Sequence, residues 1–241
     1  MRSLGSVDLG AYARAFVLLA RNPQIVLAPL LAALANVLLF MLMPSSSAGF
    51  IGSINTGLSG LIAQLITAFG MGVALIVADA AWRRGRAPFD EAWDEARRKA
   101  GDILIAALGF SFIIYVAALI GSFIPFGSIV LALVALYFFI YTLPAAAIGG
   151  IPGGAALQVS LERARGAVLA TLLITALYLF ANFVAPTLIL LALQPLYSVS
   201  PALATGVVSS LISAAITAVI TAYVALVLAK TYADVTFTRR W

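Results

Sequence analysis

Six apolar runs, near 24–43, 57–81, 103–123, 127–149, 167–193 and 204–229, recur along the chain. At a rise of about 1.5 Å per helical residue, each is long enough to cross a hydrocarbon core of roughly 30 Å. Lipid offers backbone amides no hydrogen-bond partner, so such runs are predicted to be α-helices, and none has the period-two alternation of a membrane barrel. The pattern predicts an all-α polytopic protein of six spans. The first run follows Arg2, Arg14 and Arg21, as the core of a signal peptide follows its basic leader, but it is too long for that role and further runs follow, so it reads as an uncleaved first span.

Polar positions gather between alternate runs, in three segments with amphipathic helical spacing. Leu9, Tyr12, Ala13, Phe16 and Ala20 form a stripe in the first, with Asp8 as a candidate N-cap and Arg14 and Arg21 on another face. The second opens at Pro88 and carries the stripe Phe89, Ala92, Trp93, Ala96 and Ala100. Its acids Asp90 and Glu91 suit the helix start, Arg97, Arg98 and Lys99 suit its end, Asp94–Arg98 and Glu95–Lys99 are at i,i+4, and Gly101 is expected to stop it. In the third, Leu157, Leu161 and Ala164 oppose Gln158, Glu162 and Arg165. Each segment precedes a two-span hairpin and is expected to lie in the membrane interface. Aligning Pro88 with Pro152 sets Ala92 on Ala156 and Ala100 on Ala164, which suggests repeat units 1–81, 82–149 and 150–241 within a single membrane domain.

Charge orients the chain. All fourteen Lys and Arg residues fall in the N-terminal segment, the second and fourth connections or the C-terminal end, while the connections around Pro44–Ile54, Ser122–Phe126 and Gln194–Pro201 carry no charge. The positive-inside rule then puts both termini in the cytoplasm. The net charge of +5 is thus a matter of topology, and nucleic acid is not an expected partner. Arg14, Arg21, Arg83, Arg84, Arg86, Arg163 and Arg165 become candidate contacts for anionic lipid headgroups.

With 63% hydrophobic residues, no cysteine and no histidine, the chain has neither thiolate nor imidazole chemistry, and no metal, cofactor or catalytic residue is expected. The serines Ser45, Ser46 and Ser47 have no base to activate them, and Gly149-Gly150-Ile151-Pro152-Gly153-Gly154 lacks the Lys-Ser/Thr ending of a phosphate loop and reads as a turn. No charge lies at mid-span. Asp79 and Lys230 at the inner ends of spans two and six form a candidate ion pair, or lie separately at headgroup level with Lys230 snorkelling. Asn36, Gln64, Asn182, Ser213, Thr217 and Thr221 either line a path or bond across helices. Two small-residue faces, Gly60, Gln64, Ala68, Gly72 and Gly206, Ser210, Ala214, Ala218, Ala222, favour close packing, and Pro29, Pro144 and Pro186 are expected to bend their spans.

Arg21-Asn22-Pro23 with Pro29-Leu30-Leu31, Phe89…Ala92-Trp93, Leu143-Pro144, Ala155-Ala156-Leu157…Ser160 and Tyr232-Ala233-Asp234 together resemble a group of six-span prokaryotic membrane proteins. That group includes the membrane domain joined to some glycerophosphoryl diester phosphodiesterases. Gln158 and Val159 stand where relatives often carry a basic residue beside the serine. The resemblance implies topology and carries no catalytic residue across. The expectation is a non-enzymatic module of a prokaryotic cytoplasmic membrane that binds lipid, anionic lipid above all, or partner membrane proteins, itself included as a homo-oligomer, and assists transport or envelope maintenance. The alternatives are a small permease or channel for a neutral or lipophilic solute, and the membrane half of a lipid-acting enzyme whose catalytic subunit is separate.

Overall fold

The computed structural model describes residues 8–42, 50–86, 88–199 and 207–237. The expectations placed on Arg2, Arg239, Arg240, Ser45, Ser46, Ser47 and Gly206 lie outside the described residues. The described residues are helical almost throughout, and six helices are long and apolar enough to cross a membrane: Pro23–Leu42, Gly57–Arg84, Ala100–Gly121, Gly127–Ala147, Val168–Leu188 and Val207–Thr236. The chain is an all-α, multi-pass membrane protein.

Helix α1 (Leu9–Arg21) leads through a 3-10 turn at Pro23–Val26 into α2 (Leu27–Leu42), the first span. Pro29 lies in the first turn of α2, where its missing N–H costs no intrahelical bond. The second span lies in α3 (Phe50–Arg84), which runs unbroken for 35 residues, more than the roughly 20 a crossing needs. At its crossing with α2, a Cβ on Gly70 would stand 2.6 Å from the Ala32 Cβ, so the small residue sets how closely the two helices approach. Next come α4 (Phe89–Arg98), α5 (Ala100–Gly121), α6 (Gly127–Phe139), α7 (Thr142–Ala147), α8 (Gly153–Gly166), α9 (Val168–Leu179), a π-helical turn at Phe180–Val184, α10 (Ala185–Val199) and α11 (Val207–Phe237).

The three hairpins share a plan, an outer span followed by an inner one. The core windows of spans two, four and six are 56%, 44% and 44% buried, against 17%, 17% and 22% for spans one, three and five. The inner spans therefore pack on one another while the outer spans present most of their surface to lipid. Ala214, Ala218 and Ala222 of the small-residue face of α11 are buried, in keeping with close helix approach.

The short helices pack on the charged end of this bundle, with four departures from expectation. In α1 the buried residues are Ala11 and Ala15, while Leu9 and Phe16 of the expected stripe face outward. Alanines let α1 come close to α11, where Phe16 stacks on Tyr223 with centroids 4.1 Å apart and the Tyr223 hydroxyl donates to the Tyr12 carbonyl at 3.2 Å. Asp8 occupies the N-cap position without capping and pairs with Arg14 instead. Helix α4 buries Ala92 and Ala96 as expected, but Trp93 lies between Phe69 of α3 and Phe89, so protein covers this stripe. Gly101 does not stop the helix; the break comes at Lys99 (φ −97°, ψ 8°), and Gly101 lies inside α5. Of the two i,i+4 pairs, Glu95–Lys99 forms at 2.6 Å, and the Lys99 ammonium also donates to the Ala147 carbonyl at 3.0 Å, capping the end of the fourth span.

Candidate functional site

Two helix irregularities open the middle of the bundle. Pro144 has no N–H to give Ile140, and its ring would clash with that carbonyl, so the fourth span breaks at Ile140–Tyr141 between α6 and α7. Ser160 of α8 repairs the break: its hydroxyl accepts the Tyr141 N–H at 3.0 Å and donates to the Phe138 carbonyl at 2.9 Å. Pro186 acts likewise on the fifth span, which widens into the π turn Phe180–Val184. Within that turn the Asn182 amide donates to the Tyr178 carbonyl at 2.8 Å.

Between these irregularities and the straight helices α3, α5 and α11 lies a cavity of about 360 Å³. Its floor is apolar and buried: Met71, Ala107, Leu136, Ile140, Val224 and Leu228. Its rim is polar and exposed, with Gln64, Thr67, Asn182 and Thr217, and Ser111 and Thr221 stand beside it. The Gln64 amide donates to the Ser111 hydroxyl, tying α3 to α5 across the rim. Along α11 the lining runs from Thr217 to Leu228, about 16 Å of helix axis. Gln64, Asn182 and Thr217 lie some 9–15 Å inside the uncharged ends of their spans, which is hydrocarbon depth.

Four of the six expected path residues, Gln64, Asn182, Thr217 and Thr221, thus meet at one cavity. Asn36 and Ser213 lie in an adjoining groove between α2 and α11, which shares Thr217 with it. The Asn36 amide donates to the Thr67 hydroxyl at 2.8 Å, while its carbonyl oxygen is enclosed without a partner.

A second pocket of about 330 Å³ at the charged end includes both Asp79 and Lys230, yet they do not pair. Asp79 takes Arg83 at 2.9 Å and Lys230 takes Asp234 at 2.6 Å, each one turn along its own helix. The i,i+4 partner is held in reach by the helix itself, so it prevails over a cation on another helix. Fully buried Leu75 lies between the ends of the two cavities along α3, whereas along α11 Leu228 lines one and its neighbour Ala229 the other; the Trp82 indole N–H donates to the Leu226 carbonyl at 2.9 Å.

The other arginines divide by what they meet. Arg14 and Arg83 are held by Asp8 and Asp79; Arg84 takes Glu91 at 3.1 Å; Arg165 is exposed; Arg163 is half-buried, with its Nε enclosed and turned away from the surface. Arg21, Arg84 and Arg86 meet around one pocket. Burial, and then the neighbouring Tyr223, hold the Tyr12 phenol above its usual range.

Sequence reasoning missed Ser160, Asp102 and Tyr141 as positioning residues. Asp102 Oδ1 accepts the Gly153 N–H at 3.0 Å and anchors the start of α8 to α5. Tyr141 and Tyr232, each nearly or fully buried with centroids 6.2 Å apart, join the fourth span to α11. The one available signal for Ser160 was its register: it stands eight residues after Pro152, as the buried Ala96 stands after Pro88. Among the described residues no group of three or more His, Cys, Asp or Glu side chains could hold a metal ion. No family model matches the chain, and no curated protein and no solved structure is similar to it.

Proposed function

We propose that this membrane protein is a non-enzymatic lipid-binding module whose central cavity holds a lipophilic molecule with a neutral hydrogen-bonding group. The observation that carries this reading is the cavity itself, an apolar buried floor under a polar rim at hydrocarbon depth. A hydroxyl, ester or amide group matches Gln64, Ser111, Asn182 and Thr217, whereas an ion would meet no opposite charge there. An acyl or isoprenoid chain suits Leu136, Ile140, Val224 and Leu228. The volume lies within the usual range of small-molecule sites, about 300–1,000 Å³. The positive-inside rule assigns the charged end to the cytoplasm and the cavity mouth to the outer leaflet of a prokaryotic inner membrane.

Native mass spectrometry of protein released from nanodiscs containing diacylglycerol tests this directly. The wild type is expected to retain the neutral lipid, and Thr217→Trp, which fills the mouth, to lose it. Equal retention by both would remove the cavity from the account.

A second reading, a permease for a neutral solute, draws on one observation: the cavity and the Asp79–Lys230 pocket approach from opposite ends, with buried Leu75 between them on α3 and with Leu228 and Ala229 lining one and the other on α11. Solute flux through proteoliposomes that rises in Leu75→Ala would favour it over lipid binding.

A further inference from the structure

A pocket of about 490 Å³ lies at the charged end, where the start of the first span meets the turn after the second. Arg21 and Gln24 form one wall; Arg84, Arg86 and Glu91 form the other. The walls meet because α2 and α3 are hairpin partners, so that Pro23 opens one span at the level where Arg84 closes the next. Gly85 adopts a left-handed φ of 70°, which ends α3 and lets the chain turn between Arg84 and Arg86.

The charge in this pocket does not balance. Three guanidinium groups face one carboxylate, and Glu91 takes Arg84 with both side chains about two-thirds exposed or more, an arrangement that water screens. Arg21 and Arg86 have no ion pair or side-chain hydrogen bond among the described residues. Two positive charges therefore stand unmatched in a concave site at the ends of two spans, the depth of phosphate headgroups. Elsewhere among the described residues the exposed cations either have an acid within reach, as Arg14 and Arg83 do, or line no such pocket, as with Arg165.

We propose that Arg21, Arg84 and Arg86 form a phosphate-binding site, which takes the phosphate of an anionic phospholipid or of a small phosphorylated solute. The guanidinium fork matches two phosphate oxygens at once, and charge assistance makes each bond stronger than a neutral one. Gln24 adds a neutral donor. Glu91 opposes the anion and holds Arg84 when the site is empty, so removing its charge should tighten binding. The site is independent of the neutral-lipid cavity, from which it differs in depth, charge and lining.

The test uses the purified full chain in two arms. In nanodiscs of phosphatidylcholine with a minority of phosphatidylglycerol, native mass spectrometry reads retained phosphatidylglycerol; in phosphatidylcholine alone, phosphorus NMR reads binding of added inorganic phosphate. Arg21→Gln with Arg86→Gln is expected to weaken binding about thirtyfold, and Arg97→Gln, at an exposed arginine outside the pocket, to leave it unchanged. Glu91→Gln is expected to strengthen it, a gain that misfolding cannot imitate. Binding in the first arm alone assigns the site to lipid, and binding in the second to a soluble phosphate; either supports the proposal. No binding in both arms, an unaffected double variant, or an equal loss in Arg97→Gln would overturn it.

Discussion

The long helices α3 and α11 each have a closed half and an open half. Toward the charged end, Val73–Ala78 and Val224–Ala229 are all at most 5% exposed. Toward the other end, Leu58, Leu61, Val207 and Leu211 are each more than 40% exposed. Composition does not separate the halves, since both are apolar; what differs is the cover. Helices α1, α4, α7 and α8 pack around the charged end, with small residues such as Ala15, Ala96, Ala145 and Ala156 at the contacts. The described part of the uncharged end has no such extra helices, and α10 rests mainly on the π turn before it. Lipid tails are as apolar as leucine, so that half gains little by closing. The cavity opens where the cover stops.

This contrast can be broken most sharply by large-to-small changes. Tyr232→Ala in the closed half is expected to cost about 3–5 kcal/mol in detergent unfolding, and the exposed Phe183→Ala less than about 1 kcal/mol. Equal losses would abolish the distinction. Ser160→Ala comes next: it leaves the Tyr141 N–H and the Phe138 carbonyl unanswered in a buried site, at about 1–3 kcal/mol, whereas Ser198→Ala on exposed α10 should stay within about 0.5 kcal/mol. Gln64→Leu together with Ser111→Ala cuts a bond between helices at the open rim and is expected to cost about 0.6–2 kcal/mol. The smallest effect belongs to Glu95→Gln, at about 0.3–0.5 kcal/mol, because Lys99 keeps the Ala147 carbonyl. A larger loss there would mean that charge, rather than alanine packing, holds α4 in place.

The spans were legible because hydrocarbon thickness imposes a length that hydropathy registers directly: every start and the first four ends fall within three residues of the expectation, while span five ends five residues earlier and span six seven residues later than expected. The α4 face was legible too, since its alternating charges leave one stripe for burial. The buried face of α1 was not. Nearly all its residues are apolar, so periodicity could not choose between large side chains facing lipid and alanines facing α11. Which span of a hairpin lies inside was equally hidden, as lipid and protein interiors favour the same residues. Polar residues in the spans announced themselves, and four of the six met at the cavity; that they surround a space rather than bridge two helices depends on Pro144 and Pro186 acting across three-dimensional neighbours. The Asp79–Lys230 pairing failed for a local reason: each already had an i,i+4 partner in its own helix.

Photocrosslinking tests the contrast and the lipid reading together, using diacylglycerol with a diazirine on its acyl chain, reconstituted with the full chain and mapped by peptide mass spectrometry. The account predicts adducts on the cavity floor at Met71, Leu136, Ile140 or Leu228, competed by unlabelled diacylglycerol and lost in Thr217→Trp. Adducts confined to lipid-facing residues such as Leu190, Phe112 and Ile129, unchanged by competitor, would contradict it.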